Sequence, residues 1–269
     1  MSYLKSNGKK DAVKALEKAA ALDASKPAYH TALGYAYLLR GNFAGLHAQA
    51  EAALALDPND PDAHYLLGFE SARDGAYATG YERAKKAIAL KPNFAAAYLL
   101  KSETLVSSFL AQSGTVIKPG SRGDLLNEAA GDLEKFLSLA PNAANAKFER
   151  EYLESLRFFA GYYADPENQP PASLNLEPAA DRTGIRIISK PRANYTDAAR
   201  YANVSGKIRM LVGFTADGRI DHILLVHRLG YGLDEEAVRA ARGIKFEPAT
   251  RNGKPVPVAK MIEYTFTIY

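Results

Sequence analysis

Leu56-Asp57-Pro58-Asn59 and Leu90-Lys91-Pro92-Asn93 are one closing phrase written twice, 34 residues apart. The same offset carries Leu33-Gly34 to Leu67-Gly68 and Gly41 to Gly75. A fixed period of this kind marks a supersecondary unit that buries its apolar face only by stacking on copies of itself. Within units 27–60 and 61–94 the apolar spacing predicts two amphipathic helices. A small residue makes the turn (Gly41, Gly75), an aromatic opens the second helix (Phe43, Tyr77) and a proline ends it (Pro58, Pro92).

Working outward, a third unit starts at Ala95, but its closing phrase arrives late, as Leu139-Ala140-Pro141-Asn142. The position a strict period would give to proline holds Leu126, so 15 extra residues sit inside unit 95–142. The turn-rich stretch near 113–123, with Pro119-Gly120-Ser121-Arg122-Gly123, marks the insertion. Helices are predicted at about 124–139 and 143–163, the second closing the stack. Upstream, Asp11 to Leu22 reads as the second helix of a unit whose first helix would precede Met1, so the chain is expected to be part of a longer protein.

These positions together resemble the tetratricopeptide repeat family over roughly residues 3–163. The family's large residue late in the second helix is Ala50 and Ala84 here. The resemblance implies an all-α solenoid whose first helices line a concave, ligand-holding surface. On that pattern Tyr35, Leu38 and Leu39, then Tyr65, Phe69 and Arg73, then Leu99, Glu103 and Val106 face the groove; packing between helices is the competing role for Tyr35, Tyr65 and Phe69. The clamp some members use for a chain-terminal carboxylate is missing, because Thr31, Tyr35, Leu66 and Ala96 stand at its positions.

The chain of 269 residues, 47% hydrophobic and 24% charged, is long enough for two domains with separate cores. No apolar run is long enough to span a bilayer, and with no cysteine there is neither disulfide nor thiolate chemistry. The net charge of +4 is unevenly spread: residues 182–269 carry 15 Lys and Arg against 8 Asp and Glu. The basic residues alternate with acids and form no run, so nucleic acid is not an expected partner. Between the halves, 164–182 is a linker, with Pro166, Pro170, Pro171 and Pro178 among small and polar residues.

The basic half, 183–269, reads as α+β. Residues 206–215 alternate, with Ile208, Met210, Val212 and Phe214 on one face. Asp217-Gly218 suits a hairpin turn, and a second strand resumes at Arg219 with a bulge near Asp221-His222. A helix from Leu233 to Arg242 has acids in its first turn and bases in its last. The turn Arg251-Asn252-Gly253-Lys254-Pro255 precedes a last strand carrying Val258, Ile262, Tyr264, Phe266 and Ile268 on one face. Return through a helix predicts a three-stranded antiparallel sheet of order 2-1-3 with the last strand at an edge. Pro255 and Pro257 would blunt the start of that edge.

Several ordered motifs here are similar to the C-terminal domain of the TonB family: Asn194-Tyr195 before a short helix with Ala198-Ala199, then Gly206, Asp217-Gly218-Arg219, Gly232 to Ala237, Phe246-Glu247-Pro248-Ala249 and Asn252-Gly253-Lys254-Pro255-Val256. The family's Tyr-Pro pair is Tyr195-Thr196, where Thr196 can N-cap the short helix, and its frequent tryptophan is Ile244. The resemblance implies a domain that binds a segment of an outer-membrane TonB-dependent receptor by strand addition. Tyr195, Val258, Lys260, Ile262, Tyr264 and Phe266 are the expected contacts. It also implies a periplasmic setting, and an inner-membrane motor complex as a partner if an anchor lies upstream. A soluble envelope adaptor with the same two binding modules and no energy coupling is the alternative.

Enzymatic signals are not found. Asp234, Glu235 and Glu236 are adjacent on a helix and point different ways, so they do not converge on a substrate. His30 and His64 occupy equivalent repeat positions, which indicates packing, and His222 and His227 point to opposite faces of a strand. No cofactor, metal or catalytic residue is expected.

Overall fold

The computed structural model describes residues 13–109, 122–164 and 182–268. Most of the expected insertion and linker therefore lies outside the described residues. Helix α1 (residues 13–22) is followed by α2 (Pro27–Leu39), α3 (Phe43–Leu56), α4 (Pro61–Arg73), α5 (Tyr77–Leu90), α6 (Ala95–Ser108), α7 (Arg122–Leu139) and α8 (Ala146–Ala164). Each neighbours the next in space, as a stacked repeat requires. Gly41 and Gly75 take φ of +66° and +84°, the left-handed conformation that lets an antiparallel pair turn tightly. Asn42 caps α3 through Gly45 N–H, and Asp60 caps α4 through the N–H groups of Asp62 and Ala63 with Pro61 in the first turn.

The expectation for the repeat histidines is met in atomic detail. His30 Nε2 donates to the carbonyl of Ala24 at 3.0 Å and His64 Nε2 to that of Pro58 at 3.0 Å, each six residues upstream. Ala50 and Ala84 are fully buried where the family has a larger residue, so helices pack closely there. Val106 is buried as well, and its expected place on the groove surface is corrected: it belongs to the core beneath.

The C-terminal half begins with β1 (Arg182–Thr183) and β2 (Arg186–Ser189), then α9 (Asp197–Tyr201), capped by Thr196 as expected. Its main sheet is β3 (Gly206–Phe214), β4 (Ile220–His227) and β8 (Val258–Phe266), in order β4-β3-β8 and antiparallel throughout. This is the 2-1-3 order read from the sequence. Helix α10 (Leu233–Arg242) lies between β4 and the short strands β5 (Lys245–Glu247), β6 (Ala249–Arg251) and β7 (Lys254–Val256). The bulge expected near Asp221-His222 is present, since Phe214 pairs with Ile220 and Val212 with Ile223; a second, unforeseen one sits at Val226. Pro255 belongs to β7, in a hairpin with β6, rather than to the last strand.

One expectation fails. The two halves do not keep separate cores: a single buried cluster runs from Leu105, Leu126 and Phe159 of the helices to Phe214, Leu224 and Phe246 of the sheet domain. Strand β4 lies against α6 and α8, and Leu224 and Val226 are buried. Alternation explains why this was hard to foresee, because Leu211 and Leu224 pair on the sheet face opposite Met210 and Val212, so both faces are apolar along β4.

Candidate functional site

Two surfaces could receive a protein partner, the outer edge of β8 and the concave face of the repeats. The first follows from ladder parity. In an antiparallel sheet alternate residues send their N–H and C=O to opposite neighbours. On β4, Ile223 N–H donates to Ser155 Oγ at 3.3 Å and the Leu225 carbonyl accepts from Tyr152 Oη at 3.1 Å, so both point away from β3. Leu224 then pairs with Leu211, which leaves Met210 and Val212 to bond β8 at Ile262 and Lys260. The outward-facing main-chain groups on β8 are therefore those of Ala259, Met261, Glu263 and Thr265. Lys190 Nζ agrees, donating from outside to the Glu263 carbonyl at 2.9 Å.

This corrects the residues expected to carry the edge. Val258, Lys260, Ile262, Tyr264 and Phe266 spend their main-chain groups on β3, and the side chains of Ile262, Tyr264 and Phe266 are buried in the core. Ile268 lies beyond the strand and is exposed. The Tyr195 hydroxyl donates to the Val204 carbonyl and its ring meets Phe266 edge-on at 5.9 Å. Together with Lys190, Pro191, Arg192 and residues 263–268 it walls a groove of about 720 Å³ beside the outer edge of β8.

The second surface is already occupied. Tyr65, Phe69, Arg73, Leu99 and Glu103 do line a common concavity, but its other wall is the sheet domain's 227–232 turn, and about 470 Å³ remains between them. Arg228 reaches across to Glu149 (Nη1–Oε1 2.8 Å, Nη2–Oε2 3.3 Å) and Glu103 (3.2 Å), with its guanidinium 4.4 Å from the Tyr152 ring centroid. Tyr231 Oη donates to the Leu38 carbonyl at 2.6 Å, and Tyr77 Oη lies 3.3 Å from His227 Nδ1. Tyr35 is turned to packing, donating to Asp62 at 2.7 Å and stacking on Tyr65, while Leu39 remains exposed.

Burial sets the electrostatics of this interface. It pushes Glu103 up to about 7, although Arg228 pulls the other way, and Asp234 up to about 6. Arg228 stays a cation because the carboxylates around it outweigh its desolvation. Asp234, read from sequence as a helix-start acid, accepts from Leu229 N–H at 3.0 Å and Gly230 N–H at 3.2 Å and so fixes the turn that carries Arg228. Sequence reasoning missed Arg228, Glu149 and Asp234; an arginine beside a Gly-Tyr-Gly turn was the one visible signal. Among the described residues no His, Cys, Asp and Glu group is arranged to hold a metal ion, and no helix is long and apolar enough to cross a membrane.

Residues 191–268 match the model for the Gram-negative bacterial TonB protein C-terminal domain. Solved structures similar to this chain include MamA (19% identity, 60% of this chain and 88% of that one, TM-score 0.42). YrrB, described as a TPR protein with an unusual peptide-binding site, matches at 19% identity over 62% of this chain and 73% of its own (TM-score 0.40). PilF of Pseudomonas aeruginosa matches at 18% over 63% and 72% (TM-score 0.42). No curated protein matches the chain. The family match thus falls on the sheet domain, and the helical half stands on its own geometry as a stack of antiparallel helix pairs with a 34-residue period.

Proposed function

We propose that this protein is a periplasmic interaction protein that captures an extended segment of an outer-membrane receptor on the β8 edge, with the repeat array recruiting a further protein. The observation that carries the reading is that, among the described residues, no strand pairs with the outer side of β8, which borders the groove beside Tyr195. A guest strand would exchange N–H and C=O groups with Ala259, Met261, Glu263 and Thr265, displacing Lys190 from the Glu263 carbonyl. Main-chain pairing places little demand on guest sequence, so selectivity falls to side chains along the groove. Lys190, Arg192 and Arg200 line it, and Glu263 is already paired with Lys207 and Arg209, which favours an acidic guest. Coupling to an inner-membrane motor is the further step of this reading, through an anchor outside the present sequence.

Titration of synthetic receptor N-terminal segments against the full chain tests the reading. Saturable binding that disappears in Thr265→Pro, which deletes one outward N–H, is the expected result. Failure of every acidic and neutral receptor segment to bind would remove the receptor claim.

A further inference from the structure

We propose that the concave groove of the repeats is a recognition site for an arginine- and tyrosine-bearing turn, and that the chain's own 227–231 turn holds it closed against other proteins. The inference rests on reading the repeat array as a binding module and is independent of events at β8.

Three observations carry it. The groove offers two carboxylates, Glu103 and Glu149, to one arginine that is 11% exposed, flanked by the Phe148 and Tyr152 rings. A planar fork between carboxylates and aromatic faces is the geometry that selects arginine over lysine. The turn is built for presentation: Gly230, Tyr231 and Gly232 all have positive φ, unfavourable for a tyrosine, and Asp234 holds the loop from behind. Finally, the first repeat's turn is fitted to the docked domain. A Cβ on Gly41 would stand 2.0 Å from the carbonyl oxygen of Ala202, whereas the equivalent Gly75 has nothing within 4 Å.

The contact is incomplete in a way a permanent core is not. The β4–α8 side of the interface is buried and largely apolar, with Ser155 and Tyr152 bonding the β4 backbone, but the groove side keeps its 470 Å³ chamber and is held by ion pairs and hydrogen bonds. A tethered ligand acts at an effective concentration on the order of millimolar, so an outside segment of the same chemistry must first face this competitor. The turn is a built-in competitor, and its partner class is a protein segment presenting Arg with Tyr three residues on.

The probe is a fluorescein-labelled peptide of residues 226–232, titrated against the full chain by anisotropy. Wild type is expected to bind weakly. Arg228→Glu, which repels the turn from Glu103 and Glu149, and Gly41→Ala, which wedges the first repeat from Ala202, should each bind at least tenfold more tightly, with Gly75→Ala matching wild type. A peptide with alanine for the arginine should lose the gain. Equal binding by wild type and both variants, or no binding by folded Gly41→Ala, would overturn the proposal, as would an arginine-free peptide that binds equally well. Should Arg228→Glu fail to fold, Gly41→Ala against Gly75→Ala decides alone. Receptor-segment titration at β8 is read separately, so failure of one leaves the other standing.

Discussion

The two edges of the main sheet are made of similar residues and have opposite fates. At β4, α8 supplies Ser155 and Tyr152 to the outward N–H of Ile223 and the outward carbonyl of Leu225, and apolar side chains seal the seam. At β8, among the described residues, the side chain that meets an outward group is Lys190, an exposed and readily displaced donor. An edge is closed when rigid groups satisfy it and burial makes the arrangement costly to undo; one lysine does neither. The helical half therefore acts on the sheet as a selective cover, removing one pairing surface and leaving the other.

Proline placement sharpens the contrast most. Tyr264→Pro removes an N–H bonded to β3 together with a buried ring, and should cost more than about 4 kcal/mol in urea unfolding. Thr265→Pro, one residue on, meets an outward N–H and should cost less than about half as much. Equal losses would mean that the two residues do not send their main-chain groups to opposite sides, and the assignment of the open edge would fall with that.

Next in size is burial. Leu224→Ala opens a cavity in the seam with the helices and should cost roughly 2–5 kcal/mol, while Thr265→Ala on the open edge stays within about 0.5 kcal/mol. Calorimetry of the pair checks whether the halves melt as one unit.

The edge caps come third. Ser155→Ala orphans the buried Ile223 N–H at an expected cost of roughly 1–3 kcal/mol, whereas Lys190→Ala at β8 should be near neutral, because its carbonyl turns to water.

The smallest effect is on pH. Glu103 and Asp234 have values raised by burial to about 7 and about 6, so the docked state binds protons more readily than the open chain. Stability from these groups is present at low pH and lost as pH rises through the raised values. With Glu149, Glu235, Arg228, Arg73 and His227 also facing the chamber, docking should weaken between about pH 4 and 7, severalfold in amide-exchange opening rates. Glu103→Gln should flatten the profile.

Much of this fold was legible in the chain. The 34-residue offset is a local signal repeated, so helix pairs, turn glycines and closing prolines could be read directly, and the alternation at 206–215 with Asp217-Gly218 did the same for the hairpin. The edge strand was legible too, but its parity was not. Side-chain alternation says which face a residue takes, not which neighbour its main chain bonds, so Val258 to Phe266 drew attention to residues whose backbones serve β3. The groove residues Tyr65, Phe69, Arg73, Leu99 and Glu103 share one concavity, as the repeat pattern suggests, while what fills their groove was out of reach.

By itself, then, the sequence determined the elements, their order and the two modules, because periodicity, turn residues and caps act over a few neighbouring positions. Only tertiary structure decided that Arg228 meets Glu149 from 79 residues away, that α8 takes the β4 edge, and that no strand among the described residues takes the outer edge of β8. Those outcomes depend on the mutual fit of two whole surfaces, a property that no local stretch of residues carries.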